Sequence, residues 1–183
     1  MVRMALTVQK IQDTSSDAEL LRLLQEELNI FFPLDSRRDI PVFLSKMQTA
    51  PRGLRAMAAT FELDVSMTLD DLAWHFVNHH NLDLYEVTLH SLRELEAIEA
   101  AKLFKKAFLI IEPHWNEFLP ISQNEDVSPN VHAWLDRTGI QKLIDPINKD
   151  MWKLLNQWPL EGLMHYWVLY ARKYPERCIV ITK

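Results

Sequence analysis

The sequence predicts an all-α helical bundle of about eight or nine helices, and three observations carry that prediction. Apolar residues recur at intervals of three and four along most of the chain. Most of these runs open on a capping residue or close on proline or glycine. Only the C-terminal CIVIT segment, 178–182, has the β-branched character of a strand, and one strand cannot form a sheet alone. At 183 residues and 48% hydrophobic content, the chain suits one ordinary core, so a single domain spanning 1–183 is expected.

The elements follow in order. Ser16, with Glu19 three residues later, forms a capping box ahead of Leu20, Leu24, Leu28 and Phe31, and Pro33 ends that helix. Leu54, Met57, Ala58 and Phe61 make a second stripe after Pro51. Thr68 with Asp71 is expected to open a helix over 69–80 that carries Leu69, Leu72 and Phe76. Asp83 with Glu86 is expected to open the next, 84–95, with Tyr85, Leu89 and Leu92. Ala97, Ala101, Phe104, Phe108 and Ile111 hold helical spacing over 97–112 until Pro113 stops it. The short connections predict that these three helices pack consecutively as antiparallel neighbours.

The polar stretch 116–130 holds two prolines and reads as the longest internal loop. Ser128-Pro129 supplies an N-cap and a first-position proline for a short helix that Gly139 caps at its C-terminus. Ile140 to Trp158 is helical, with a break expected near Pro146. Leu160, Leu163, Trp167, Tyr170 and Tyr174 form the last helix, and Pro175 terminates it.

Composition removes several function classes. Three glycines in the whole chain leave none clustered, so neither a phosphate-cradling loop nor a dinucleotide-binding turn can be built. One cysteine, Cys178, cannot staple the fold or complete a four-cysteine zinc site, and such usage fits a reducing compartment. The N-terminus lacks the apolar run of a signal peptide, and no stretch is long and apolar enough to span a membrane. A cytoplasmic protein that does not contact membranes is expected.

Charge is unevenly spread along the chain. Acids against bases number 9 and 8 over residues 1–69, 11 and 4 over 70–127, and 5 and 8 over 128–183. The middle third therefore carries −7, which argues against nucleic-acid contact there, since phosphates demand clustered Lys and Arg. Asp70, Asp71, Asp83, Glu86, Glu94, Glu96 and Glu99 lie within thirty residues, with Arg93 the only Lys or Arg among them. They are either a solvated helix face or a docking surface for a basic protein.

Candidate chemistry is sparse. His75 and His79 are four apart, as are Glu86 and His90, the spacing that puts two metal ligands on one helix face. On a helical wheel, however, the first pair falls at the edge of its apolar stripe and the second well away from its own, so the pairs diverge. Histidines at helix edges, bonded to backbone or water, are the plainer reading, and no resident metal or cofactor is expected. No GxSxG elbow exists, and Cys178 in its β-branched run suits an inert buried thiol. No catalytic residue is assigned. Trp134, Trp152, Trp158 and Trp167 mostly follow helical stripes and read as core, whereas Trp115 beside Pro113 suits a groove wall.

Segment 74–107 places an aromatic-rich helix with Trp74, Phe76 and Asn78 before a short turn. A helix with Tyr85, Leu89 and Leu92 follows, then an alanine-rich one with Ala97, Ala100, Ala101 and Ala107. This order resembles the core of the DNA-mimic-protein-like family of small helical bacterial proteins. The resemblance covers about a fifth of the chain, and the turn here, Asn78 to Asp83, reads NHHNLD without the glycine that family usually has. It implies a helical binding protein whose carboxylates imitate phosphates. The sequence therefore leads to a non-enzymatic interaction module acting through an acidic helical surface. A metal-dependent hydrolase using His75 and His79 is the competing class, and oligomeric state has no signature.

Overall fold

The computed structural model describes residues 6–117, 127–160 and 162–180. Among these residues, regular structure is entirely helical, with eleven α-helices and two 3₁₀ turns. The first four helices are α1 (Val8–Asp13), α2 (Asp17–Phe31), α3 (Leu34–Arg38) and α4 (Ile40–Thr49). The central four are α5 (Arg52–Leu69), α6 (Leu72–Asn78), α7 (Leu82–Glu94) and α8 (Ile98–Ile111). Three more follow: α9 (Val127–Thr138), α10 (Ile140–Leu155) and α11 (Met164–Lys173). The 3₁₀ turns are Glu112–Glu117 and Pro175–Arg177.

The all-α prediction holds, with more and shorter helices than the stripes suggested. Several signals act where expected. Ser16 Oγ accepts from the Glu19 amide at 3.3 Å, and Gly139, at φ +70, follows α9. α8 ends two residues before Pro113 and α11 two residues before Pro175. Other expectations are corrected. Thr68 does not open a helix, because α5 continues through it and its hydroxyl donates back to Asp64 O at 2.9 Å. Asp71 is the cap of α6 instead, and Leu69, expected in a stripe, is 74% exposed. Asn81, not Asp83, caps α7 by accepting from the Leu84 amide at 2.9 Å.

Pro146 does not break its helix. α10 runs unbroken for 16 residues through it, held by Ile140, Ile144, Ile147 and Met151 on the core side. The polar loop is shorter than 116–130, since the 3₁₀ turn reaches Glu117 and α9 is under way at Val127. Residues 118–126 lie outside the described residues, as do 181 and 182 of the expected strand. The described part of that segment, 178–180, is irregular, with Cys178 buried.

Packing centres on α5, which carries apolar side chains into two adjoining core clusters. Leu63 and Met67 join α6, α8, α9 and α10, whereas Leu54, Met57 and Ala58 join α1, α2, α4 and α11. α5 and α7 run antiparallel: Arg52 pairs with Glu94 at 2.6 Å, and Thr88 Oγ1 donates to Ala59 O at 3.1 Å. α7 and α8 form a hairpin, closed by Glu96 at φ +60 and by the Ala97 amide donating to Leu92 O at 2.9 Å. Trp167 Nε1 donates to Thr60 Oγ1 at 3.0 Å and ties α11 to α5. This scaffold presents the start of α7 and the end of α8 on one side of the bundle.

Candidate functional site

The sequence singled out histidines and carboxylates, and the fold treats them differently. His75 is 3% exposed, not at a helix edge. Its Nδ1 faces Ser66 Oγ at 3.0 Å, and its ring lies edge-on to Phe76 and Phe104. Ser66 spends its own proton on Glu62 O at 2.8 Å, so His75 Nδ1 is the donor in that contact. Burial holds the His75 imidazole well below its usual range, with neighbouring His79 pushing the same way. Burial lowers His79 too, and the two ring centroids are 4.8 Å apart. Both rings are therefore neutral at physiological pH.

Glu86 and His90 sit on the exposed side of α7. Among the described residues, no group of three or more His, Cys, Asp or Glu side chains is placed to hold a metal ion. Ser66 and His75 share a hydrogen bond, but both are buried in the α5–α6 contact, where no substrate reaches. Trp115, expected at a groove, stacks on His80 at 4.2 Å and meets Phe108 edge-on, so it packs the hairpin end.

The seven carboxylates do not form one surface. Asp71 is buried and works inside the fold: its Oδ1 caps α6 at the Trp74 amide and its Oδ2 accepts from Gln141, both at 3.0 Å. Glu94 is nearly enclosed, with a side chain 12% exposed, and binds Arg52, Arg177 and the Tyr170 hydroxyl. Burial pushes that carboxyl up, but the Tyr170 and Arg52 hydrogen bonds and the two guanidinium charges outweigh it and hold it low. Glu96 meets Lys173 at 2.7 Å and the Tyr174 hydroxyl at 3.0 Å, and Glu99 meets Lys102 at 2.6 Å. The Glu94 and Glu96 partners are seen only in three dimensions, because they lie about 40 to 80 residues away, whereas Glu99 and Lys102 are three apart on α8.

Among the described residues, the side chains of Asp70, Asp83 and Glu86 are exposed and make no hydrogen bond or ion pair. Asp70 is the C-cap residue of α5, where its backbone N–H donates to Ser66 O at 2.7 Å. Asp83 lies in the first turn of α7, where the helix dipole favours its charge, and Glu86 follows on the next turn. Glu112, which sequence reasoning passed over, joins them. Burial pushes the Tyr85 hydroxyl up to about 12, and the Glu86 and Glu112 carboxylates both add to that rise. The two acids therefore flank one phenol at the open end of the hairpin. Arg93 opposes them more weakly.

Beside this acidic end lies a groove of about 360 Å³ lined by Leu44, Met47, Gln48, Arg55, Asp83 and Val87. Leu44, Met47 and Val87 give it an apolar floor between α4 and α7. Asp83 belongs to both the groove and the acidic end, so it links an apolar contact to a charged one. Arg55, from α5, gives the groove one charge of each sign.

No helix among the described residues is long and apolar enough to cross a membrane. No family model, curated protein or solved structure matches this chain.

Proposed function

We propose that this protein is a non-enzymatic interaction module. In this reading, the acidic end of the α7–α8 hairpin docks a basic, amphipathic segment of a partner protein. The observation that carries it is the position of Asp83, an unpaired carboxylate on the rim of an apolar groove and on the same helix as Glu86. Apolar area supplies binding free energy, and the carboxylates supply orientation and fast association with a basic partner. A helix in a groove with charges along its rim is a recurrent mode of peptide recognition.

The DNA mimicry that the family resemblance implies needs a row of free carboxylates. Asp71, Glu94, Glu96 and Glu99 are each engaged within the chain, which favours a protein partner over phosphate imitation.

The reading is tested by titrating the full chain with a fluorescent amphipathic Lys/Leu peptide. Asp83→Lys with Glu86→Lys should weaken binding by about tenfold or more. Asp35→Lys with Asp136→Lys, which changes net charge equally at exposed acids elsewhere, should weaken it far less. Equal losses for the two double variants would mean that only net charge is read, and the proposed surface would be wrong.

A further inference from the structure

A second cavity, of about 490 Å³, opens where the C-terminal ends of α5 and α10 meet the turn entering α11. Met67, Trp152, Leu155 and Met164 supply its apolar side, Thr68 and Asn156 add neutral polar groups, and Asp64 is the ionisable group that lines it. Trp152 is held in place because its indole N–H donates to Met67 O at 2.8 Å.

Asp64 is 6% exposed and comes from the core side of α5, between Leu63 and Met67. Its Oδ1 accepts from the Leu163 amide. Gly162, at φ +75, passes so close that a Cβ there would collide with the same oxygen, so the turn is built around this carboxyl. Oδ2 receives no hydrogen bond from any described residue, yet it is not among the sealed, unpartnered atoms. Asp64 lines the cavity, and Oδ2 is its uncommitted oxygen. Among the described residues, no Lys, Arg or His lines that space.

A buried carboxylate with one satisfied oxygen is costly to the fold, and such groups concentrate at binding sites. Burial pushes Asp64 up to about 6, so at neutral pH it still carries its charge for most of the time. The complement of this site is a cation. One carboxylate with the neutral side chains of Thr68 and Asn156 offers too few oxygen donors for calcium or magnesium. An anion would meet only repulsion. Apolar side chains beside two neutral polar ones and one placed charge, in a space of this size, suit a small organic molecule.

We propose that this cavity binds a protonated primary amine on an apolar or aromatic stem, its ammonium group meeting Asp64 Oδ2 and its stem lying against Met67, Trp152 and Met164. An aromatic stem or an ammonium near the indole would also gain from Trp152.

Calorimetric titration of the full chain with benzylammonium, and separately with benzyl alcohol as its neutral isostere, tests the proposal. Benzylammonium should bind saturably, about tenfold or more tighter than benzyl alcohol. Asp64→Asn keeps an acceptor for the Leu163 amide, so the turn should stay folded. It should remove the preference for the charged probe while leaving benzyl alcohol unchanged. Met164→Lys, an independent variant, places a tethered ammonium in the cavity and should abolish benzylammonium binding. Equal affinity of wild type for the two probes would overturn the proposal. So would undiminished benzylammonium binding in Asp64→Asn, or no saturable binding of benzylammonium to wild type at millimolar concentration.

Discussion

Asp71 joins two helices that are seventy residues apart: one oxygen caps α6 at the Trp74 amide, and the other accepts from Gln141 Nε2 on α10 at 3.0 Å. An acid that looks like surface charge in the sequence is thus a structural joint. Asp71→Ala should cost about 2 kcal/mol, as the loss of a cap and of a half-buried hydrogen bond. Asp71→Asn keeps the cap and should cost less than about 1 kcal/mol. Urea unfolding of both variants measures the difference, and equal costs would show that the cap contributes nothing.

Phe104 is the centre of the aromatic packing between α6, α7 and α8. It is fully buried, stacked on Phe76 at 5.1 Å and tilted against Tyr85 at 5.5 Å. Phe104→Ala should destabilise the protein by roughly 3–5 kcal/mol as a core truncation, read as a lowered urea midpoint. Phe104→Leu should recover most of that loss.

Asp64 should make the protein less stable as pH rises. Its carboxyl is raised from 3.8 to about 6 by burial, so between these values the folded chain binds more protons than the unfolded one. Stability should therefore fall through that window and level off above it. Asp64→Asn lacks the ionisation, so at pH 7.5 it should be more stable than wild type by on the order of 2–3 kcal/mol. The gap should close below pH 4. Thermal melts across pH check this, and a constant difference between the two proteins would contradict it.

Glu94 works in the opposite sense. Its carboxyl is held below its ordinary value of 4.5, so its contribution is present above that pH and is lost as pH falls further. Glu94→Gln should cost about 1–2 kcal/mol at neutral pH by weakening the contacts to Arg52, Arg177 and Tyr170. At pH 3 the cost should shrink. A charge reversal at Glu94 would report on folding, and for that reason it is unsuitable as a probe of docking.

Helix identity was legible in the sequence because it rests on local signals: Ser16 with Glu19, Gly139, and the prolines at 33, 113 and 175. Boundaries without such a signal were not. α5 has no stop residue before Leu69, so Thr68 looked like a cap when Asp71, three residues on, holds that role. Pro146 looked like a break, but the apolar face of α10 packs tightly enough to carry the helix past one missing N–H. The site was less legible. Pairing of Glu94 with Arg52 and of Glu96 with Lys173 depends on tertiary distance, which a helical wheel cannot show. Asp64 did leave a trace, as a lone acid between Leu63 and Met67 on an apolar stripe. Glu112 left none, because its influence on Tyr85 arises from the hairpin.

The most direct test of the acidic docking surface is the salt dependence of the association rate between the full chain and the amphipathic Lys/Leu peptide. Exposed charges are screened within about 8 Å at physiological ionic strength, so steering by Asp83, Glu86 and Glu112 should fade as salt rises. The wild-type association rate should fall by about tenfold or more between 0.02 and 0.5 M salt. In the Asp83→Lys, Glu86→Lys variant the rate should be low throughout and should change little. A double variant that keeps the wild-type salt dependence would contradict the account.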